Sequence, residues 1–292
     1  MSAIESVLVE NRVFPPSAEF TAQANIKPKE FQAMLAKAAS DYPGFWGDLA
    51  NEHLIWAKPF TRSLDDSNAP FFKWFEDGEL NASYNCLDRH ISTPTEDKVA
   101  IIFEADDGKI TEITFGDLYT RVCKFANGLK QLGYKKGDRA IVYMPMSIEA
   151  VIAMQACARI GVTHSVVFGG FSAKSLQERI VDVGASLVIA ADEQMRGGKA
   201  ISLKPAVDEA YAMGGCDAVR HTIVYRRTGG KVAAGARDID WSKVEGGSSD
   251  KCAPEMVSAG IRCSYSTPPV RPVNQRAFSI RPAAICCTRC SP

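Results

Sequence analysis

From Val99 onward the apolar and polar positions follow two alternating rhythms, one of period two and one of period 3.6. "VAIIFEA" and "ITEITF" are short β-branched runs on either side of Asp107-Gly108, a pattern that predicts a hairpin. "TFGDLYTRVCKFANGLKQLG" then sets Phe115, Leu118, Val122, Phe125, Leu129 and Leu132 at helical spacing and stops at Gly133. "RAIVYM" reads as a buried strand, and "SIEAVIAMQACARIG" as a helix with Ser147 at its N-cap and Gly161 past its end. "THSVVF" is a second strand, "SAKSLQERIVDVG" a helix capped by Ser172, and "SLVIAA" a third strand. A helix in "SLKPAVDEAYAMGG" and the strand "HTIVY" follow. Continuous apolar strands alternating with capped helices predict an α/β fold: a doubly wound, mostly parallel sheet covered by helices on both faces.

Residues 1–95 have weaker periodicity and many aromatics, as in "DYPGFWGDL" and "FFKWFEDGEL". This reads as an irregular helical and aromatic N-terminal segment whose rings are packing anchors rather than a ligand cage. The expected organisation is therefore 1–95 as that segment, 96–259 as the α/β body, and 260–292 as a tail of different character.

Composition sharpens this picture only slightly. Of 292 residues, 46% are apolar and 23% charged, an ordinary globular profile. Lys plus Arg and Asp plus Glu are equal at 34 each, so charge points to neither nucleic acid nor a membrane surface. No apolar run is long enough to span a bilayer, and "MSAIESVLVENRVFPP" has no signal-peptide pattern, so a cytoplasmic protein is expected. Cys86, Cys123, Cys157, Cys216 and Cys252 are scattered, as reduced cytosolic thiols are. Cys263, Cys286, Cys287 and Cys290 crowd the tail, but "CCTRC" has no partner pair and no His follows His221, so no metal site is expected.

Ligands of open α/β sheets bind beyond the carboxyl ends of the strands. Two such ends stand out. "VVFGGFS" closes a strand on Gly169-Gly170 and opens a helix at Ser172, which lets backbone amides approach a ligand. "VIAADEQMRGGK" places Arg196 and Lys199 around Gly197-Gly198, where two cations on a softened turn can clamp a phosphate. On the residues alone, a tight strand-to-helix turn and a solvated basic turn explain both stretches as well. The GxGxxG and GxxxxGK[ST] fingerprints are absent. His164 opens a buried strand and reads as a hydrogen-bonded core histidine, His90 as the close of a turn, and no Ser/His/Asp or Cys/His set assembles from spacing.

"FFKWFEDGELNASYNCLDRH", "VCKFANGLKQLGYKKGDRAIVYMPMSIEAVIAMQACARIG", "HSVVFGGFSAKSLQERI" and "VIAADEQMRGGK" closely resemble the AMP-forming acetyl-CoA synthetases, acetate–CoA ligases of the acyl-adenylate-forming superfamily. The resemblance runs from about Tyr42 to Val257. It implies substrates acetate, ATP and coenzyme A with Mg²⁺, formation of acetyl-adenylate with release of pyrophosphate, and acetyl transfer to coenzyme A. It assigns Arg196, Gly197, Gly198 and Lys199 to the phosphorylated end of coenzyme A, with Lys where relatives often carry Arg. It assigns Phe168, Gly169 and Gly170 to the pantetheine path. It implies no catalytic residue within this chain, because the family's phosphate loop YTSGSTGKPKG should follow "APEMVSA" and does not.

"TPPVRPVNQRAFSIRPAAICCTRCSP", from Thr267 to Pro292, stands there instead, and no acidic residue follows Glu255. Thr267 to Arg276 can be encoded as ACA CCT CCG GTT CGA CCG GTA AAC CAA AGG. With one T in front and the first two bases of the Ala277 codon (GC) behind, these bases regroup to read YTSGSTGKPKG. Ile261 to Ser266 regroup similarly to DPLFVL. Residues 260–292 thus read as an out-of-frame product, expected to be disordered, to bury no core and to form no regular element. Two functional readings follow: an acetate–CoA ligase by descent that is inactive as this chain alone, or a non-catalytic α/β module that binds coenzyme A or a partner. In either case a sheet that loses its following strands presents an apolar edge, with aggregation as the expected consequence.

Overall fold

The computed structural model describes residues 12–261, 263–266 and 278–280. The described residues fall into two compact units, divided between Trp46 and Gly47. In the first unit, Ala18–Gln23 begins where the Ser17 hydroxyl accepts from the Phe20 amide, and Pro28–Ser40 follows with no residue buried.

The second unit is built on a seven-stranded sheet. Its strands, in chain order, are β1 (Arg139–Met144), β2 (Thr163–Phe168), β3 (Leu187–Ala191), β4 (His221–Tyr225), β5 (Asp238–Asp240), β6 (Ser264–Ser266) and β7 (Phe278–Ile280). Across the sheet they run β5-β4-β3-β1-β2-β6-β7. The first six in that order are parallel, and β7 is antiparallel to β6. Helices α1 (Phe115–Gln131), α2 (Ile148–Arg159), α3 (Ala173–Val183), α4 (Lys204–Ala212) and α5 (Trp241–Gly246) complete the body.

The continuous apolar runs are explained by two cores, one on each face of the sheet. Ala140, Val142 and Met144 of β1 turn to one face, where they join Val122 and Phe125 of α1, Ile152 of α2 and Trp241 of α5. Ile141 and Tyr143 turn to the other, onto Leu176 and Ile180 of α3 and Val207 of α4. Every residue of β3 is buried, as a central parallel strand requires. The expected caps are in place: Thr114, Ser147 and Ser172 each accept a hydrogen bond from the backbone amide three residues on. Val99–Glu104 and Ile110–Thr114 pair as the expected hairpin around Asp107-Gly108.

Residues 47–95 fold with the sheet. Glu79–Leu80 pairs with Val257–Ser258, and Asp88 pairs with Arg159. Trp56, Phe60 and Phe75 pack on one another, while Phe71 and Phe72 stay exposed.

The tail departs from expectation in two places, since Ser264–Ser266 and Phe278–Ile280 pair as antiparallel strands. Ser264–Ser266 forms a regular strand, with Cys263 and Ser264 buried. It adds to the free edge of β2 in the register Ser264↔His164 and Tyr265↔Ser165. Strand addition uses backbone donors and acceptors, which any sequence except proline supplies, so the edge can be paired without a selected side-chain pattern. Apart from Phe278–Ile280, residues 267–292, including the cysteine cluster, lie outside the described residues.

Candidate functional site

The two glycine turns singled out from the sequence meet at the carboxyl end of the sheet. After β2 ends at Phe168, the chain turns through Gly169 and Gly170 into α3. The Tyr143 hydroxyl, at the end of β1, accepts from the Gly170 amide at 3.2 Å and donates to the Phe171 carbonyl at 2.8 Å. Burial pushes the Tyr143 phenol upward, which keeps it protonated and able to donate. A Cβ on Gly169 would lie 3.1 Å from Gln194 Oε1 and 3.3 Å from the Met144 carbonyl oxygen, and Gly170 has a φ of +101°. A side chain at Gly169 would crowd Gln194 and the Met144 carbonyl, and one at Gly170 would be strained by its φ.

The stretch read as a basic turn is the tip of a β-hairpin. Glu193–Arg196 pairs with Lys199–Ser202, and Gly197 and Gly198 have φ values of +57° and +73°. Two left-handed residues in a two-residue connection make a type I′ turn, whose twist matches that of the strands it joins. Arg196 and Lys199 are direct cross-strand partners, so their side chains leave the same face of the hairpin. Both are exposed, and among the described residues neither is paired with a carboxylate. The Arg196 guanidinium lies 6.0 Å from the centroid of the Phe168 ring, which is itself exposed. Beneath it, Gln194 Nε2 donates to the Gly169 carbonyl at 3.0 Å.

Asp192, buried at the end of β3, holds the base of this hairpin. One carboxylate oxygen accepts from the Glu193 and Arg227 amides at 2.7 and 2.9 Å, the other from the Gly229 and Gly230 amides at 3.0 and 3.2 Å. Its carbonyl accepts from Leu203 and Lys204, where the chain leaves the hairpin. The Lys204 ammonium is fully buried and reaches Asp208 at 2.6 Å and Asp238 at 2.8 Å. On the face away from Phe168, the hairpin borders a cleft of about 550 Å³ lined by Asp106, Met195, Gly198, Tyr225 and Arg227.

Neither histidine joins the site. His164 lies at the amino end of β2, and burial pushes its pKa down to about 4. Its Nδ1 has no hydrogen-bond partner among the described residues, which corrects the expectation of a hydrogen-bonded core histidine. His90 closes the short helical turn Asp88–His90 and rests against Phe115. Gln194, Tyr143, Asp192 and Asp106 escaped the sequence reading because each acts on a backbone group of another element, and such contacts leave no periodic or motif signal.

Residues 87–259 match the family described as AMP-binding enzyme, more than half of the chain. The chain belongs to this family. Residues 31–86 match the family described as acetyl-coenzyme A synthetase N-terminus. The chain is 63% identical over 261 residues to the acetyl-coenzyme A synthetase of Ralstonia pickettii, with the match covering 89% of this chain and 40% of that protein. The synthetase of Cupriavidus necator gives the same identity and coverage, and that of Paraburkholderia phymatum is 61% identical. The chain thus spans about two fifths of the length of the curated relatives it matches. The solved structure of an acetoacetyl-CoA synthetase from Streptomyces lividans shares the fold at a TM-score of 0.75 and 23% identity, over 86% of this chain and 40% of that one. Among the described residues no helix is long and apolar enough to cross a membrane.

Proposed function

We propose that this chain is the coenzyme-A-binding portion of an AMP-forming acetate–CoA ligase, with the Arg196–Lys199 hairpin as the clamp for the phosphorylated end of coenzyme A. In that reaction acetate and ATP give acetyl-adenylate and pyrophosphate. The coenzyme A thiol then takes the acetyl group and AMP leaves. The carrying observation is the pairing of Arg196 with Lys199 on one hairpin face, neither of them bound to a carboxylate among the described residues and with Arg196 beside the exposed ring of Phe168. Arg196 offers a planar fork and Lys199 a compact charge, a combination that suits a phosphate dianion. We assign the pantetheine arm to the Gly169-Gly170 turn, which lies at the carboxyl end of β2 next to Phe168.

Titration calorimetry with coenzyme A and with 3′-dephospho-coenzyme A tests the clamp. Coenzyme A binds more tightly, and Arg196→Ala costs about tenfold in its affinity with a smaller effect on the dephospho form. Equal affinities for the two ligands would sink the assignment.

ATP and Mg²⁺ have no assigned seat on these residues. Among the described residues no group of three or more His, Cys, Asp or Glu could hold a metal ion. The sequence from Gly260 to Pro292 lacks YTSGSTGKPKG, which favours a chain that binds coenzyme A without adenylating acetate. Acetate-dependent pyrophosphate release by the pure chain would refute that. We further propose that 260–292 is read out of frame. Resequencing the source DNA across codons 255 to 270 decides this: an additional base restores the loop, and an unchanged sequence makes the shift genuine. The buried thiols Cys123, Cys157 and Cys216 support a reducing, cytoplasmic setting.

A further inference from the structure

The tip of the Arg196–Lys199 hairpin has almost nothing to lean on. A Cβ built on Gly197 or on Gly198 meets no atom within 4 Å. The base is secured by Asp192 and Gln194, but between the base and the turn the two strands project outward, with Lys199–Ser202 exposed throughout. Among the described residues one hydrogen bond reaches the tip from another element: the Gly198 amide donates to Asp106 Oδ2 at 2.9 Å, across 92 residues of sequence. In a two-residue turn the amide of the second turn residue points away from the strand pair, so an outside acceptor can take it without disturbing the ladder. Asp106 sits on a turn that is itself pinned, by the Gly108 amide to the Ala105 carbonyl and by the Lys109 amide to Asp107.

We infer that Asp106 is a positioning residue for the hairpin: by holding the Gly198 amide it fixes the turn that sets Arg196 and Lys199 side by side. As far as coenzyme A is concerned, this rests on the function proposed above. The carboxylate has two opposed effects. Its hydrogen bond orders the clamp, whereas its negative charge, held at the amide of Gly198 next to Lys199 in the chain, works against a bound phosphate. Asparagine keeps an acceptor oxygen and removes the charge; alanine removes both. The two substitutions therefore separate order from charge.

The experiment compares the full chain with Asp106→Asn, Asp106→Ala, Asp107→Ala and the double variant Arg196→Ala/Lys199→Ala, by amide hydrogen exchange at Gly198 and by calorimetric titration with coenzyme A. Asp106→Ala speeds Gly198 exchange by about tenfold and weakens coenzyme A by about fivefold, the loss of one charge-assisted hydrogen bond. Asp106→Asn keeps the protection and binds coenzyme A at least as well as the parent, and Asp107→Ala, which loosens the turn but leaves the Asp106 carboxylate in place, speeds Gly198 exchange less than Asp106→Ala does. Unchanged Gly198 exchange in Asp106→Ala, equal acceleration in Asp107→Ala, or equal loss of affinity in the Asn and Ala variants would each overturn the assignment. If the Arg196/Lys199 double variant binds coenzyme A as the parent does, the clamp reading fails instead, and Gly198 exchange alone decides the role of Asp106.

Discussion

Gln194 Nε2 donates to the Gly169 carbonyl at 3.0 Å, joining the hairpin that carries Arg196 to the turn that ends β2. Both groups are buried, so the bond is exchanged for nothing when it is broken. Gln194→Ala leaves a buried carbonyl without a donor and is expected to cost about 1–3 kcal/mol. Urea denaturation measures the loss. Gly170→Ala is expected to cost a similar amount, about 1–3 kcal/mol, for a different reason: its φ of +101° is strained for any side chain.

Asp192 accepts four backbone amides through its two carboxylate oxygens. Asparagine would turn an NH₂ group toward two of those donors, so Asp192→Asn is expected to destabilise nearly as much as Asp192→Ala, by about 3 kcal/mol. If chemical denaturation finds the Asn variant as stable as the parent, the amides are not held as described.

Arg159 is 1% exposed and meets Asp88 through two parallel bonds of 2.7 and 2.8 Å, with its Nε on the Cys252 carbonyl at 2.6 Å. Removing Asp88 alone strands a buried guanidinium, at an expected cost of about 3–5 kcal/mol. The double variant Asp88→Leu/Arg159→Met removes both charges and is expected to be more stable than Asp88→Ala. The order of the two midpoints in a denaturant series checks this.

His164 is buried, and desolvation lowers its pKa from 6.5 to about 4. Between those values the unfolded chain binds a proton that the folded chain refuses, so stability falls as pH drops from 6.5 toward 4. The contribution lost over that window is about 3 kcal/mol. His164→Leu, which has nothing to protonate, is expected to flatten the dependence of the denaturation midpoint on pH across this range. An unchanged slope would assign it to other groups.

The doubly wound body could be read from the sequence because its causes are local. The five-residue run Leu187–Ala191 has apolar character on every residue, which only a strand covered on both faces can use. Thr114, Ser147 and Ser172 mark helix starts because a side-chain oxygen three residues before an amide is a short-range fit. Arg196-Gly197-Gly198-Lys199 was visible as a cationic turn for the same reason, since only composition and adjacency were needed. What that turn is part of was not visible: "EQMR" and "KAIS" are too short and too polar to announce a hairpin, and their pairing is fixed where Asp192 gathers both ends. Nor could sequence bring Gln194 to Gly169, Asp106 to Gly198, or Ser264 to the edge of β2. Those contacts join backbone groups to distant side chains or strands. A backbone amide or carbonyl is the same in every residue but proline, so it leaves no mark on the sequence and finds its partner only when the chain has folded.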